Sequence, residues 1–446
     1  MCDTFVALGD ATNGAKVILG KNSNREPNEA QALIRIPAQD NSETWVKCTY
    51  IHIPQIPHTH EVILSKPFHI WGAEMGVNEH GLTIGNAAVF TKTVFEKDNF
   101  GLTGMDMTRL ALERANTALQ ALFLIAQWTE EYGQDAYGGY QDKRFYYCSS
   151  FLIADKHDAY VLETADRQWA AKKIKDFYPI SNGLTIEGEY DFSSENIIKY
   201  AIEKGWHTDG EPFSFRKAYS DRFYTRMSHS TVRRKLSMDL FQENHRKIDA
   251  IVAMNILRAH GNQTDKFHPA HGNLKTLCVH ASGWTCPIQT TGSMVVELHE
   301  DEQDVFWFTG TAAPCISVFK PFFIGDITLL PNQFKQPSAT YDESLWWKAE
   351  RLHRKVLRNY PKLTALFQKE LQDLQANFLA REFILRTNHA DQATLFAFSK
   401  ECMERYEQCL KEWTEKVYAA KVRPQPFAPF YRWYRRRLER QLKKFS

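Results

Sequence analysis

Near residue 335 the chain changes character, and that change limits the folds open to it. Before it, short hydrophobic runs alternate with turn residues. After it, with Pro331 and Pro337 as punctuation, residues 342–420 are almost free of Pro and Gly and read as two or three long amphipathic helices. Strands with few helices, then helices alone, argue for an α+β fold. The division predicts a first domain over 1–335 and a helical extension over 336–446.

Within the first part, Thr4–Leu8 and Lys16–Gly20 read as paired strands around a turn at Asp10–Gly14. Cys48–Ile53 alternates like a strand, and Gly76–Ile84 reads strand, turn, strand around Asn78-Glu79-His80-Gly81. Gly104–Tyr132 has helical spacing. Phe151–Asp155 and Ala159–Thr164 form a hairpin, with Trp169–Ile174 as a third strand. Helices are expected over 194–205 and 246–259, and strands over 276–281, 292–299 and 304–309. Pattern alone leaves the stacking of the sheets open.

Composition removes some function classes. A formal net charge of +2 gives no global basic signature for nucleic acid. No charged stretch followed by an apolar run opens the chain, and no run of about 18 apolar residues suggests a membrane span. The expectation is a cytoplasmic protein whose eight scattered cysteines are reduced thiols.

The second residue is one of those cysteines. Removal of Met1 would leave a thiol and a free α-amine on Cys2, which is a nucleophile and a base on one residue. Gly20-Lys21-Asn22-Ser23-Asn24-Arg25 returns beside it along the opening hairpin. A cation near a thiol favours the thiolate, and an amide can orient an amine. Asn86 and Asn182, in Gly85-Asn86 and Ser181-Asn182-Gly183, are candidates to hold an oxyanion or the amine; Arg222, with Arg226 and Arg233 nearby, suits a substrate carboxylate. The plain reading of each segment taken alone is a polar turn or a solvated helix face.

These blocks fall in a particular order. Cys2-Asp3-Thr4, Gly20-Lys21-Asn22-Ser23, Trp71-Gly72-Ala73-Glu74-Met75-Gly76 through Gly81, Ser150–Asp155, Leu162–Ala165, Ile180-Ser181-Asn182, Thr309–Ala312 and Ser317–Phe322 follow one another. The series resembles the secernin branch of the C69 peptidase family over roughly residues 1–330. That resemblance implies the αββα sandwich of the N-terminal-nucleophile hydrolases. It implies Cys2 as nucleophile with its own amine as base. Lys21 falls where related hydrolases have an Arg near the thiol. Asn24 falls where the family usually has an Asp that orients the amine. Asn86 and Asn182 fall near two Asn positions of the site, and Arg222 and Arg233 both compete for a late Arg position. The implied activity is amide hydrolysis, a dipeptidase ahead of an acylase on non-peptide amides, with no cofactor. A non-hydrolytic, secernin-like interaction protein linked to exocytosis or membrane traffic is the alternative.

Two further features call for a reading. Cys278, His280 and Cys286 tempt a zinc assignment, but no fourth ligand stands in register, so no metal is expected. His280 and Gln289 are instead expected on the substrate side of the sheet. The segment Tyr431–Ser446 is rich in Arg and Lys among Trp433, Tyr434, Leu438 and Leu442. It reads first as a solvated helix face, second as an interfacial helix on an anionic membrane, and last as a nucleic-acid contact, for which no motif is present. The long helices leave open a cap over the first domain or a homo-oligomer interface.

Overall fold

The computed structural model describes residues 1–261, 267–325, 335–425 and 429–442. Two antiparallel sheets face one another. In the first, the spatial order is Phe177–Ile180, Cys2–Leu8 (β1), Val17–Arg25 (β2), Gln289–Leu298, Val305–Phe308 and Lys320–Phe322. In the second it is Phe192–Ser193, Gln168–Ile174, Ala159–Ala165, Cys148–Ala154, Thr83–Val89, Met75–Asn78, Val62–Pro67 and Gln31–Ile36. The helices Gly104–Arg114 and Ala118–Tyr132 cover the outer face of the second sheet, and Ser230–Glu243 and Ala250–Leu257 cover that of the first. The layers therefore run helix, sheet, sheet, helix, and the fold is α+β.

Alternation explains the layering. Along Thr83–Val89, Ala87 and Val89 join the core between the sheets, while Ile84 joins the core beneath the helices. The two sheets approach closely at Gly85. A Cβ there would lie 2.7 Å from Lys21 Cδ and 2.9 Å from Thr4 Cγ2, so only glycine fits.

Several expected elements are differently bounded. The single helix over Gly104–Tyr132 is two, because Ala115 is extended and the Thr117 side chain accepts the Gln120 N–H to start a new helix. Cys48–Ile53 spans the turn of a small hairpin, whose strands are Trp45–Lys47 and His52–Pro54. Residues 276–281 form no strand. They are pinned by individual bonds, such as Cys278 N–H to the Ala259 carbonyl and Val279 N–H to Thr290 Oγ1. The helix Ser230–Glu243 departs from the solvated face that the plain reading gave its arginine: it buries Arg233 and Ser237 beside Phe241, which blurs its apolar stripe.

The C-terminal helices Leu345–Val356, Tyr360–Thr364, Gln368–Thr387, Gln392–Ala419 and Pro429–Leu442 pack on the rest. Leu395, Phe398, Cys402, Tyr406, Cys409, Trp413 and Val417 form one buried stripe, as spacings of three and four require. That stripe belongs to the same hydrophobic core as β1 and β2. In the last helix Tyr431, Tyr434 and Arg435 are buried, whereas Lys443 and Lys444 lie outside the described residues. Among the described residues no helix is long and apolar enough to cross a membrane.

Candidate active site

Cys2 opens β1, and the pairing with β2 decides what surrounds it. Cys2 stands opposite Ser23, and Thr4 stands opposite Lys21. Directly paired residues share a face, and successive residues alternate. Cys2, Thr4, Lys21, Ser23 and Arg25 therefore face the second sheet, and Asp3, Asn22 and Asn24 face the outer helices.

On the inner face Cys2 Sγ donates to Glu74 Oε2 at 3.2 Å. The same oxygen lies 3.2 Å from Lys21 Nζ, which also donates to the Asn86 carbonyl at 2.6 Å. Arg25 Nη1 reaches Glu74 Oε1 at 3.2 Å and its other nitrogens bind Glu29. All of these side chains are buried. Burial pushes the Glu74 carboxyl up, but Lys21 and Arg25 outweigh it and hold its pKa down to about 2. Burial likewise opposes the Lys21 charge, and negative charge on Cys2 and Glu74 outweighs it and raises the Lys21 pKa above the ordinary value.

On the outer side a second network holds the backbone of residue 2. The Cys2 N–H donates to Asn182 Oδ1 at 3.1 Å. Arg233 donates to that same oxygen at 2.7 Å, to the Cys2 carbonyl at 3.1 Å and to Asp3 Oδ1 at 2.6 Å. Asn182 follows the strand Phe177–Ile180, and Arg233 lies one turn into Ser230–Glu243. Gly183 lets the two meet: a Cβ there would fall 2.8 Å from Ser230 Oγ.

The structure sorts the expected residues. Cys2, Lys21, Asn182 and Arg233 come together. Asn182 meets residue 2 at its nitrogen, through Oδ1, while its Nδ2 donates to the Ala88 carbonyl at 2.7 Å. Asn24 is adjacent, but its side chain is on the outer face. Its Nδ2 donates to Asp3 Oδ2 at 3.1 Å and its Oδ1 accepts from Thr290 at 2.6 Å, so the expected hold on the Cys2 nitrogen falls to Asn182. Asn86 offers its carbonyl to Lys21, while its amide donates to Ala73 and Thr108. Arg222 is exposed on the helix Arg222–Met227 and lines a surface groove with Arg226 and His229. His280 and Gln289 bond to His260 and Glu350 respectively, not to the thiol.

Glu74, Arg25 and Asp3 were missed as site residues. The one signal for Glu74 is a lone acid inside the otherwise apolar run Ile70–Val77. Asp3 had a signal in its register, since an acid beside Cys2 must face the opposite way and needs a buried partner of its own.

No family model matches the sequence. Among solved structures the chain is similar to penicillin V acylase from Agrobacterium tumefaciens, at 11% identity over 69% of this chain and 82% of that one, TM-score 0.38. It is similar to a mutant conjugated bile acid hydrolase from Clostridium perfringens, at 10% identity over 69% and 88%, TM-score 0.38. It is also similar to the Caenorhabditis elegans N-acylethanolamine-hydrolyzing acid amidase ortholog, at 12% identity over 66% and 92%, TM-score 0.34.

Proposed function

We propose that the protein is a cysteine amide hydrolase of the N-terminal-nucleophile type, acting on dipeptides, with Cys2 as both nucleophile and base once Met1 is removed. One observation carries this reading. The two reactive atoms of residue 2 are held by separate buried networks, the nitrogen by Asn182 and the thiol by Glu74 beside Lys21.

With Met1 gone, the Cys2 nitrogen is an amine that takes the thiol proton. Sγ then attacks the scissile carbonyl, forming the C–S bond and placing negative charge on the carbonyl oxygen. The Lys21 ammonium is the nearby fixed positive charge for that oxygen and for the thiolate. The α-ammonium returns its proton to the leaving amine as the C–N bond breaks. Water, giving a proton to the same amine, splits the thioester. Glu74 is too weak a base to compete for the thiol proton, since its pKa is held down to about 2; its part is to position Lys21 and Sγ. Arg233 and Asn182 position the residue-2 backbone.

The dipeptide class rests on the sequence resemblance and on the place of Met1. Met1 packs against the apolar patch of Leu274, Val279 and Cys286, beside Ile288. Its departure frees the room of one amino-acid side chain next to the nucleophile, which suits a dipeptide better than a bulky acyl chain.

Intact mass and a dipeptide screen test the proposal together. The expected result is a chain lacking one methionine whose hydrolysis falls by about 10³-fold or more in Cys2→Ala. A retained Met1 overturns it and favours the non-hydrolytic reading, and turnover that survives Cys2→Ala overturns it by removing Cys2 as the nucleophile.

A further inference from the structure

Outside the Cys2 site, four metal-ligating side chains converge in the interior. His260 follows the helix Ala250–Leu257, Cys278 and His280 lie on the bent segment 276–281, and Cys315 lies on the turn Pro314–Ile316. All four are buried, and their ligand atoms lie within 4.8 Å of one another. His280 Nε2 is 3.1 Å from His260 Nε2, 3.4 Å from Cys278 Sγ and 3.4 Å from Cys315 Sγ. We propose that these residues form a structural zinc site with two cysteine and two histidine ligands.

The spacing fits the ion. Nitrogen at about 2.0–2.1 Å and sulfur at about 2.3 Å around a tetrahedral zinc stand roughly 3.3–3.8 Å apart, slightly more than the separations at His280. Hydrogen bonding alone explains the cluster less well. The single lone pair of His280 Nε2 accepts one proton, yet three potential donors crowd it.

The surroundings prepare that lone pair. Glu350 accepts from Arg354 at 2.7 Å and Gln289 at 3.0 Å, which marks it as a carboxylate. His353 Nδ1 faces Glu350 Oε2 at 3.0 Å, and His353 Nε2 faces His280 Nδ1 at 3.0 Å. Protons assigned along this chain run from His353 to Glu350 and from His280 to His353. That leaves His280 Nε2 bare and aimed at the cluster, the arrangement of a carboxylate-backed metal ligand. The Tyr360 hydroxyl donates to Cys315 Sγ at 3.3 Å, as it would to a thiolate. Two thiolates, two neutral imidazoles and Zn²⁺ carry no net charge, which a buried site favours. Binding releases the two thiol protons to solvent. Soft sulfur with imidazole selects zinc over magnesium or calcium.

The site has a structural consequence. Its backing residues His353, Glu350 and Tyr360 belong to the C-terminal helices, so the ion ties them to the sheet domain. Val279, between two ligands, packs on the patch beside Met1. This last link bears on catalysis only through the reading of Cys2 above; zinc content is measured independently of it.

Full-length protein grown with zinc is expected to carry about one zinc per chain by elemental analysis. Its X-ray absorption should show two sulfur and two nitrogen neighbours, and cobalt added to reduced, metal-stripped protein should give tetrahedral bands with thiolate charge transfer. Cys286→Ser should keep the zinc, since Cys286 Sγ instead contacts the backbone carbonyls of His280 and Ile288. Cys278→Ser with Cys315→Ser should lose it. Zinc below about a tenth of an equivalent with no cobalt bands, zinc retained by the double variant, or zinc lost from Cys286→Ser overturns the assignment. If the double variant does not fold, the wild-type absorption spectrum decides alone, and any ligand set other than two sulfurs and two nitrogens overturns it.

Discussion

The two faces of the β1–β2 hairpin are built from neighbouring residues and do different work. The inner face carries Cys2, Lys21 and Arg25 against Glu74, where charges meet the thiol. The outer face carries Asp3 and Asn24 against Arg233, where the bonds go to backbone and to each other. The difference teaches that proximity in sequence is a poor guide to role here. Lys21 and Asn24 are three residues apart, yet one touches Glu74, the partner of the Cys2 thiol, and the other bonds to Asp3 on the outer face.

The inner face gives the largest expected effects. Lys21→Met keeps most of the side-chain volume and removes the charge. Dipeptide turnover should fall by about 10²–10³-fold, the cost of losing one donor to developing negative charge. It also leaves the Glu74 charge buried with Arg25 alone, and folding stability should drop by roughly 3 kcal/mol. Adding Glu74→Gln should recover part of the stability and none of the turnover. Equal recovery of both in steady-state assays and urea unfolding would erase the distinction between reacting and bracing charges.

Acid tests the same carboxylate without touching the thiol. Lys21 and Arg25, acting against burial, hold the Glu74 pKa at about 2, below the ordinary 4.5. The unfolded chain therefore takes up a proton near pH 4.5 that the folded chain refuses until about pH 2. The stability from Glu74 is complete above pH 4.5 and is lost as pH falls through that window, by about 3 kcal/mol in all. Denaturant unfolding at stepped pH should show a steeper acid loss for the wild type than for Glu74→Gln. Parallel curves would mean that Glu74 is no more acidic in the fold than in the unfolded chain.

How much of this was legible beforehand follows the same division. Period-two alternation and turn residues located most strands of both sheets, because one-sided burial writes itself into the sequence. Cys2, Lys21, Asn182 and Arg233 were legible as residues. The partition of Asn24 from Lys21 needed the register, which alternation implies once Cys2 pairs with Ser23. Glu74 and the helix Ser230–Glu243 were hidden for a shared reason. Each buries a charged group in a position that hydrophobic patterning reserves for apolar residues. The two partners of Cys278 and His280 in the proposed zinc site were hidden by distance along the chain, since His260 and Cys315 come from separate segments.

On the outer face, Asn24→Asp restores the residue that the family resemblance leads one to expect, and here it should do harm. Asn24 Nδ2 donates to Asp3 Oδ2, so an aspartate would set two buried carboxylates against each other. Stability should fall by roughly 1–3 kcal/mol, as for a buried polar group that loses its partner. Turnover should change less than in Lys21→Met. A gain in turnover with no loss of stability would show that the position acts on the amine after all.

Arg222→Ala should have the smallest effect, and that makes it the sharpest check on the sorting of the two arginines. Arg222 and Arg233 were equal candidates for one role. Arg233 is buried and bonded to the Cys2 carbonyl, Asp3 and Asn182. Arg222 is exposed on a short helix whose N-terminus is capped by Asp221 through the N–H groups of Phe223 and Tyr224, not by the arginine. Truncating it removes surface charge and no buried bond, so stability should stay within about 0.5 kcal/mol of wild type. Turnover on a neutral-capped and a free-carboxylate dipeptide should both be unchanged. A selective loss on the free-carboxylate substrate would bring Arg222 back as the group that binds the substrate's terminus, with the groove it lines as the approach to Cys2.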